Sequence, residues 1–258
     1  MLPMADAGHA EAETRNTVEL FGVAVDAITM EQTADAVRSM FASGRPHQHV
    51  VLNAAKVVEM ERDPELRRVV QSCDLVNADG MAVVWASRIL GVPLPERVAG
   101  IDLFERLVQL AQEDGRSVFF LGATDDVVAG AAEIFTQRYP GLRVAGYRNG
   151  YWKDDAEVIA EVRAAAPDLL FLAIPSPRKE FWLSAHLEEL NVPFVMGVGG
   201  SFDVVAGKVS RAPRWMQRVG LEWSWRLIQE PRKMWRRYLF TNTSFIRITA
   251  QAWWESRR

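Results

Sequence analysis

Between residues 20 and 200 the chain alternates short apolar, β-branched runs with longer segments whose apolar residues return every three or four positions. Strands are predicted over 20–25, 49–53, 74–77, 118–121, 142–147, 169–174 and 192–197. The last four begin 23–27 residues apart, the length of a strand plus a helix. Val118-Phe119-Phe120-Leu121 and Leu169-Leu170-Phe171-Leu172 show no polar alternation, as befits strands covered on both faces. Thr124 is positioned to cap a helix over 125–138, with Asp125 and Asp126 in its first turn and Pro140-Gly141 beyond its end. The rhythm predicts an α/β fold on a doubly wound, mostly parallel sheet.

Ligands meet such sheets at the carboxyl ends of the strands, in the loops that enter the next helix. Those loops read Asn53-Ala54-Ala55, Asn77-Ala78-Asp79-Gly80, Gly122-Ala123-Thr124, Pro175-Ser176-Pro177-Arg178-Lys179-Glu180 and Gly197-Val198-Gly199-Gly200-Ser201-Phe202-Asp203. Polar and glycine residues therefore gather at one edge, where backbone amides can meet phosphate oxygens. Asp79 suits either a helix cap or a carboxylate aimed into the cleft, able to take a proton from an attacking hydroxyl. Asn53 is open to the same two readings, turn residue or ligand-binding amide. Gly122, Gly199 and Gly200 fit phosphate approach or simple turn geometry, and the G-x-G-x-x-G spacing is missing. Arg97 is either a surface residue of the polar loop 93–97 or a cation that holds a departing diphosphate.

Several chemistries lack their signatures. There is no G-x-S-x-G elbow, no P-loop, no H-E-x-x-H pair and no D-x-D pair. The four histidines (His9, His47, His49, His186) are scattered, without metal-ligand spacing, and most are expected at the surface. The single cysteine, Cys73, excludes a disulfide framework and suits a reducing compartment. At 258 residues, 49% hydrophobic and 24% charged, the chain has enough material for one large domain or two small ones. No uncharged apolar run reaches 18 residues, and the N-terminus lacks the apolar core of a secretory signal, so a cytoplasmic protein is expected.

The formal net charge of −3 hides a division. Residues 207–258 hold 12 Lys/Arg against three Glu, a net of +9, and six of the nine tryptophans. The preceding 206 residues hold 18 Lys/Arg against 30 Asp/Glu, a net of −12. Such a split predicts a body with a basic, aromatic appendage that meets something anionic. Pro231 suits the first turn of a helix. In it Arg232, Lys233, Arg236 and Arg237 share one face, and Met234, Trp235, Tyr238 and Leu239 the other. A basic face opposite a Trp/Tyr/Leu face suits an interfacial membrane helix; a helix packed on the domain with a solvated basic face is the alternative.

The blocks Asn53-Ala54, Asn77-Ala78-Asp79-Gly80, Pro93-Leu94-Pro95-Glu96-Arg97-Val98-Ala99-Gly100-Ile101-Asp102-Leu103, Tyr139-Pro140-Gly141 and Gly197 to Asp203 run in an order that resembles one known family. Gly207-Lys208-Val209, Arg211-Ala212-Pro213, Gly220-Leu221-Glu222-Trp223 and Arg226-Leu227 through Pro231-Arg232 extend the likeness to about residue 240. Together these blocks resemble the WecG/TagA/CpsF glycosyltransferases, glycosyltransferase family 26. The resemblance implies a Rossmann-like catalytic domain, expected over 18–206; residues 1–17 are expected to be a disordered segment, and the charge division sets off 207–258 as a membrane-proximal appendage. It implies metal-independent, inverting transfer from a UDP-sugar to a sugar on a polyprenyl-diphosphate lipid in cell-surface polysaccharide synthesis. Neither a cofactor nor a nucleic-acid partner is expected, and the protein is expected peripherally on the inner face of the cell membrane. Asp79 matches the family's proposed general base. Asn53, Arg97 and Asp203 match positions linked to the nucleotide-sugar pocket. Gly80, Gly100, Asp102, Gly122, Pro177, Lys179, Glu180, Gly199 and Gly200 complete the expected binding set. Arg211, Arg214, Arg226 and Arg232 are the appendage arginines expected to finish the site.

Two positions depart from the family pattern. Val51 stands where many members have threonine, and Lys179 where many have glutamine. Lys179 either turns donor choice toward an acidic sugar or pairs with Glu180. Two other classes compete: an NAD(P)-dependent oxidoreductase, for which Phe21-Gly22-Val23 lacks the glycine fingerprint, and a non-catalytic binding protein using the basic tail. The apolar appendage can seal a homo-oligomer as readily as a lipid contact.

Overall fold

The computed structural model describes residues 15–218, 220–229 and 231–258, without the side chains of Arg218, Arg226, Arg232, Lys233, Met234 and Arg237. The chain opens with a hairpin, β1 (Thr17–Leu20) and β2 (Val23–Asp26), followed by α1 (Met30–Met40) and β3 (His47–Leu52). Next come α2 (Ala54–Met60), α3 (Pro64–Ser72), β4 (Leu75–Ala78), α4 (Met81–Ile89), α5 (Gly100–Glu113) and β5 (Ser117–Gly122). Then follow α6 (Asp125–Arg138), β6 (Arg143–Arg148), α7 (Asp155–Ala165), β7 (Leu169–Ala173), α8 (Arg178–Leu190), β8 (Phe194–Gly197) and α9 (Ser201–Val205). The appendage carries α10 (Arg214–Arg218), α11 (Glu222–Gln229) and α12 (Pro231–Glu255).

Six parallel strands lie in the order β4-β3-β8-β7-β5-β6. β8 is latest in sequence yet sits centrally, pairing with β3 on one side and β7 on the other. Alternate residues of each strand feed the two faces. On one face Phe104, Phe120, Phe135, Phe171 and Phe202 pack together beneath α1, α5 and α6. The opposite face is covered by α2, α3 and α4 over β3 and β4, and by α7 and α8 over β5, β7 and β8. The fold class is as the alternation predicts.

Three local expectations change. The strand expected over 20–25 is two strands, because Phe21 and Gly22 turn the chain with φ of 57° and 76° and pair Leu20 with Val23. Thr124 does precede α6, but its hydroxyl donates to Asp126 Oδ1 at 2.5 Å and caps no amide. Of the segment expected to be disordered, residues 1–14 lie outside the described residues; Arg15 pairs with Asp26 at 2.5 Å and Thr17 starts β1.

Against the expectation that most histidines lie at the surface, His47 and His49 are buried in β3 and His186 is partly buried; His9 lies outside the described residues. Asn77 Nδ2 donates to Thr33 Oγ1, so Asn77 Oδ1 faces His49 Nε2 at 3.1 Å and accepts a hydrogen bond from its N–H. Desolvation lowers the His49 pKa to about 3. In the unfolded chain the same imidazole binds a proton below about pH 6.5. Stability is therefore full above that value and falls as pH drops toward 3, by up to about 1.4 kcal/mol per unit from this group. His47, also lowered by burial against the pull of Asp74, acts in the same direction. Urea unfolding of His49→Gln between pH 7.5 and 5 is expected to lose much of the parent's slope; an unchanged slope removes His49 as its source.

Candidate active site

β3 and β4 end side by side, and their carboxyl termini deliver Asn53 and Asp79 to one rim. The Asp79 amide donates to Leu52 O at 2.8 Å, tying the two loop starts together. Gly80, with φ of 108°, makes the turn that most residues resist and precedes α4 without a side-chain cap. The carboxylate of Asp79 is thus not spent on its own helix. It accepts from the amide of Gly100, the first residue of α5, whose positive helix end favours negative charge there. Val51 packs against Gly100 from beneath, so a Cβ added at Gly100 would lie 3.4 Å from Val51 Cγ1.

Asp79 is crowded by protein on most sides but keeps one face on the cleft. Desolvation raises its pKa above the usual aspartate value, Arg97, the Gly100 amide and Lys179 oppose that shift, and Glu222 adds to it. A carboxylate with raised pKa is a stronger base than a solvated one. Asn53 caps α2 through Oδ1, which accepts from the Lys56 amide at 3.0 Å. Its Nδ2 has no hydrogen bond among the described residues, so the cap and the ligand-binding amide are compatible.

The appendage is locked onto this rim by charge. Arg97 Nη1 donates to Glu222 Oε2 at 3.2 Å. Arg211 reaches Asp102 through two parallel bonds, 2.5 and 2.9 Å, and Glu222 Oε1 at 3.4 Å. Asp102 and Arg211 thus hold one another. The bidentate geometry suits a partly buried clamp better than a loose surface pair. Gly220 completes the contact: its φ is 73°, and a Cβ there would lie 2.6 Å from Met81 Cβ.

Beneath the rim lies a second charged cluster. Lys56 and Glu180 are 3% and 2% exposed and contact each other directly. Ser176 Oγ lies 3.2 Å from Lys56 Nζ and donates to Glu180 Oε2 at 3.0 Å. Lys179 Nζ stands 3.6 Å from Glu180 and donates to Gly197 O at 3.1 Å. Its stem crosses Gly197 so closely that a Cβ there would lie 2.8 Å from Lys179 Cδ. Burial pushes the Lys179 pKa down, against the pull of Glu180. Burial pushes Glu180 up, but the two lysines outweigh it and hold the carboxyl below its usual value. Of the two readings of Lys179, this geometry matches the pairing with Glu180.

Asn53, Asp79, Gly80 and Arg97 line one cleft of about 800 Å³, between α4 and the appendage. Gly122, Gly199, Gly200 and Asp203 lie outside that lining, in the loops and first turn beyond β5 and β8. Gly122 has φ of 124°, and a Cβ there would lie 2.4 Å from Ala173 O, so no other residue fits. Pro177 precedes α8 directly, after a cis bond from Ser176. Arg214 is exposed at the start of α10, and the side chains of Arg226 and Arg232 lie outside the described set. Glu222, Lys56 and Ser176 escaped the sequence reading as functional residues. For Lys56 the signal was a lysine beside Val57 and Val58, one turn past the Asn53 cap.

Residues 18–258 match the family described as "Glycosyl transferase WecG/TagA/CpsF family". Among the relatives, a protein of Bacillus spizizenii (strain W23) is 39% identical over 181 residues, 70% of each chain. One from Bacillus subtilis (strain 168) is 36% identical over 178 residues, 69% of each. A Staphylococcus aureus (strain MW2) protein is 30% identical over 228 residues, 87% of this chain and 90% of its own. All three are named N-acetylglucosaminyldiphosphoundecaprenol N-acetyl-beta-D-mannosaminyltransferase. The match sets aside the oxidoreductase and the non-catalytic binder: the chain belongs to the WecG/TagA/CpsF family of glycosyltransferases.

Proposed function

We propose that this glycosyltransferase moves an N-acetylhexosaminyl group, N-acetylmannosamine by analogy with its relatives, from a UDP-sugar to the terminal sugar of an N-acetylglucosaminyl-diphosphopolyprenol. The observation that carries the reading is the Asp79 carboxylate: raised in pKa, steadied by the Gly100 amide, and open to the cleft beside Arg97. The acceptor hydroxyl attacks the anomeric carbon from the side opposite UDP, and Asp79 takes its proton as the new bond forms. One displacement inverts the anomeric centre. The departing diphosphate meets cations and amides rather than a resident metal ion: Arg97, the appendage arginines, and the glycine loop beyond β8, which flanks the crevice between β3 and β8.

A lipid-linked acceptor requires the enzyme to work at a membrane surface. No described helix is long and apolar enough to cross one. The appendage supplies the alternative, with its net charge of +9 and with Trp235, Leu239, Phe240 and Trp254 exposed on α12. Peripheral docking on the inner face of the cell membrane follows, with about 1 kcal/mol per basic residue near an anionic surface. The decisive assay supplies UDP-N-acetylmannosamine and an N-acetylglucosaminyl-diphospholipid to the purified full chain and follows UDP release. It is expected to release UDP only with both substrates present, and to sediment with phosphatidylglycerol vesicles at low salt but not at high salt. No release with any UDP-sugar overturns the proposed reaction.

A further inference from the structure

The cleft that contains Asp79 is mostly apolar: Asn53, Asp79, Arg97 and Glu222 lie at its catalytic end, and on α12 Tyr238, Thr241, Asn242 and Thr249 alternate with apolar residues. Along α4, Met81, Trp85 and Ile89 follow one another at i, i+4 and i+8, a single stripe that leads away from Asp79 for about 12 Å at 1.5 Å per residue. The facing wall is α12, which presents Phe245, Ile246 and Trp253. Ala82 and Ala86 on one helix and Ala250 on the other leave the space between the walls open. Trp85 is 48%, Ile89 57% and Ile246 67% exposed. Large apolar residues left uncovered in one contiguous surface mark a binding site.

The helices stand apart because α12 is anchored elsewhere. Phe245 packs against Phe21 of the hairpin turn, ring centroids 5.4 Å apart and planes tilted by 59°, and the Arg62 guanidinium lies over Phe240 at 4.3 Å. The gap is therefore built into the packing.

We infer that this groove binds the isoprenoid chain of the acceptor, with the first isoprene units running between α4 and α12 while the sugar on their diphosphate reaches Asp79. The inference rests on the acceptor class proposed above and adds to it the place of the hydrocarbon and the residues that select it. Two observations choose this occupant. The groove is continuous with the reacting carboxylate, so whatever fills it is joined to the reacting molecule or touches it. Its polarity also follows an amphiphile, with the charged groups Asp79, Arg97 and Glu222 and the amide of Asn53 at the head and, beyond them, a mostly apolar wall that carries no charged residue. About 800 Å³ falls within the roughly 300–1,000 Å³ of small-molecule sites, room for the head and a stretch of chain.

The test compares two acceptors in detergent-free solution, N-acetylglucosaminyl-diphosphate esterified to farnesol or to methanol. The full chain is expected to prefer the farnesyl acceptor in kcat/KM, and Ile89→Asn and Ile246→Asn are each expected to lower that preference about tenfold, the loss of one buried aliphatic contact. A preference unchanged in both variants overturns the inference. So does loss of vesicle binding or of self-association in the variants with the preference retained, since the groove then meets a bilayer or a second copy. Binding of farnesyl diphosphate, followed by the fluorescence of Trp85, Trp223 and Trp253, reads the groove without turnover. If the parent transfers to neither acceptor but binds farnesyl diphosphate in a manner Ile89→Asn weakens, the proposed reaction fails and the groove stands. If farnesyl diphosphate binds no better than inorganic diphosphate, the groove fails whatever the reaction.

Discussion

With Asp79 as the proposed base, Asp79→Asn is expected to lower turnover by about 10²–10⁴-fold, the worth of a positioned base, and to leave the protein folded. Folding survives because asparagine Oδ1 can accept the Gly100 amide as the carboxylate does. The sign of the stability change follows from the raised pKa. A carboxyl that is harder to ionise in the folded state favours folding when protonated and loses that contribution as pH rises through its folded pKa. The amide never ionises, so the variant is expected to be at least as stable as the parent near pH 7. Activity has the opposite dependence, since the base acts only when ionised. In the parent, kcat/KM falls on the acid side at a pH above the usual aspartate value, and the variant's residual rate lacks that limb. Turnover near the parent's removes Asp79 from the role.

Lys56→Met removes the cation in direct contact with Glu180 while keeping much of the packed volume. Breaking a buried ion pair on one side costs about 3–5 kcal/mol, because the remaining charge is uncompensated. Lys179 remains 3.6 Å from Glu180 and Ser176 still donates to it, so the lower end of that range is expected. For a chain of this size that is a fall in Tm of about 6–12 °C by calorimetry. Adding Glu180→Gln to Lys56→Met recovers most of the loss, because the charge left behind is then gone. A Tm unmoved by Lys56→Met contradicts the assignment of Lys56 as Glu180's main partner.

Much of the fold is legible in the chain because the strands are buried on both faces and announce themselves as unbroken apolar runs. The runs beginning at Val118 and Leu169 fall within β5 and β7. The hairpin escaped because its turn is Phe21-Gly22 rather than Asn-Gly, and an aromatic at positive φ looks like another strand residue. His47 and His49 escaped for a different reason: their burial depends on Asp74, Asn77 and Thr33, partners that pattern alone does not reveal. Asp79 and Asn53 were legible as loop residues at strand ends, but not which of their two readings applied. Only the fold shows that Asn53 caps α2 and that Asp79 caps no helix but faces Gly100, the first residue of a helix 21 residues on. The Arg97, Asp102, Arg211 and Glu222 clamp joins residues more than 100 positions apart, and only the family's block order hinted that they belong together.

The position of β8 has a consequence for how the molecule is made. With His47 paired to Phe194, the sheet consists of two parts, β4-β3 and β7-β5-β6, joined only through this strand. A ribosome delivers both parts before it delivers the joint. Until residue 197 emerges, the nascent polypeptide carries two bare strand edges, at β3 and at β7, each competent to pair with a neighbouring chain. The seam that β8 closes is also the crevice beside Asn53. The enzyme therefore covers the β3 and β7 edges and completes the crevice beside Asn53 in one late event, and its folding is expected to be slow for its size.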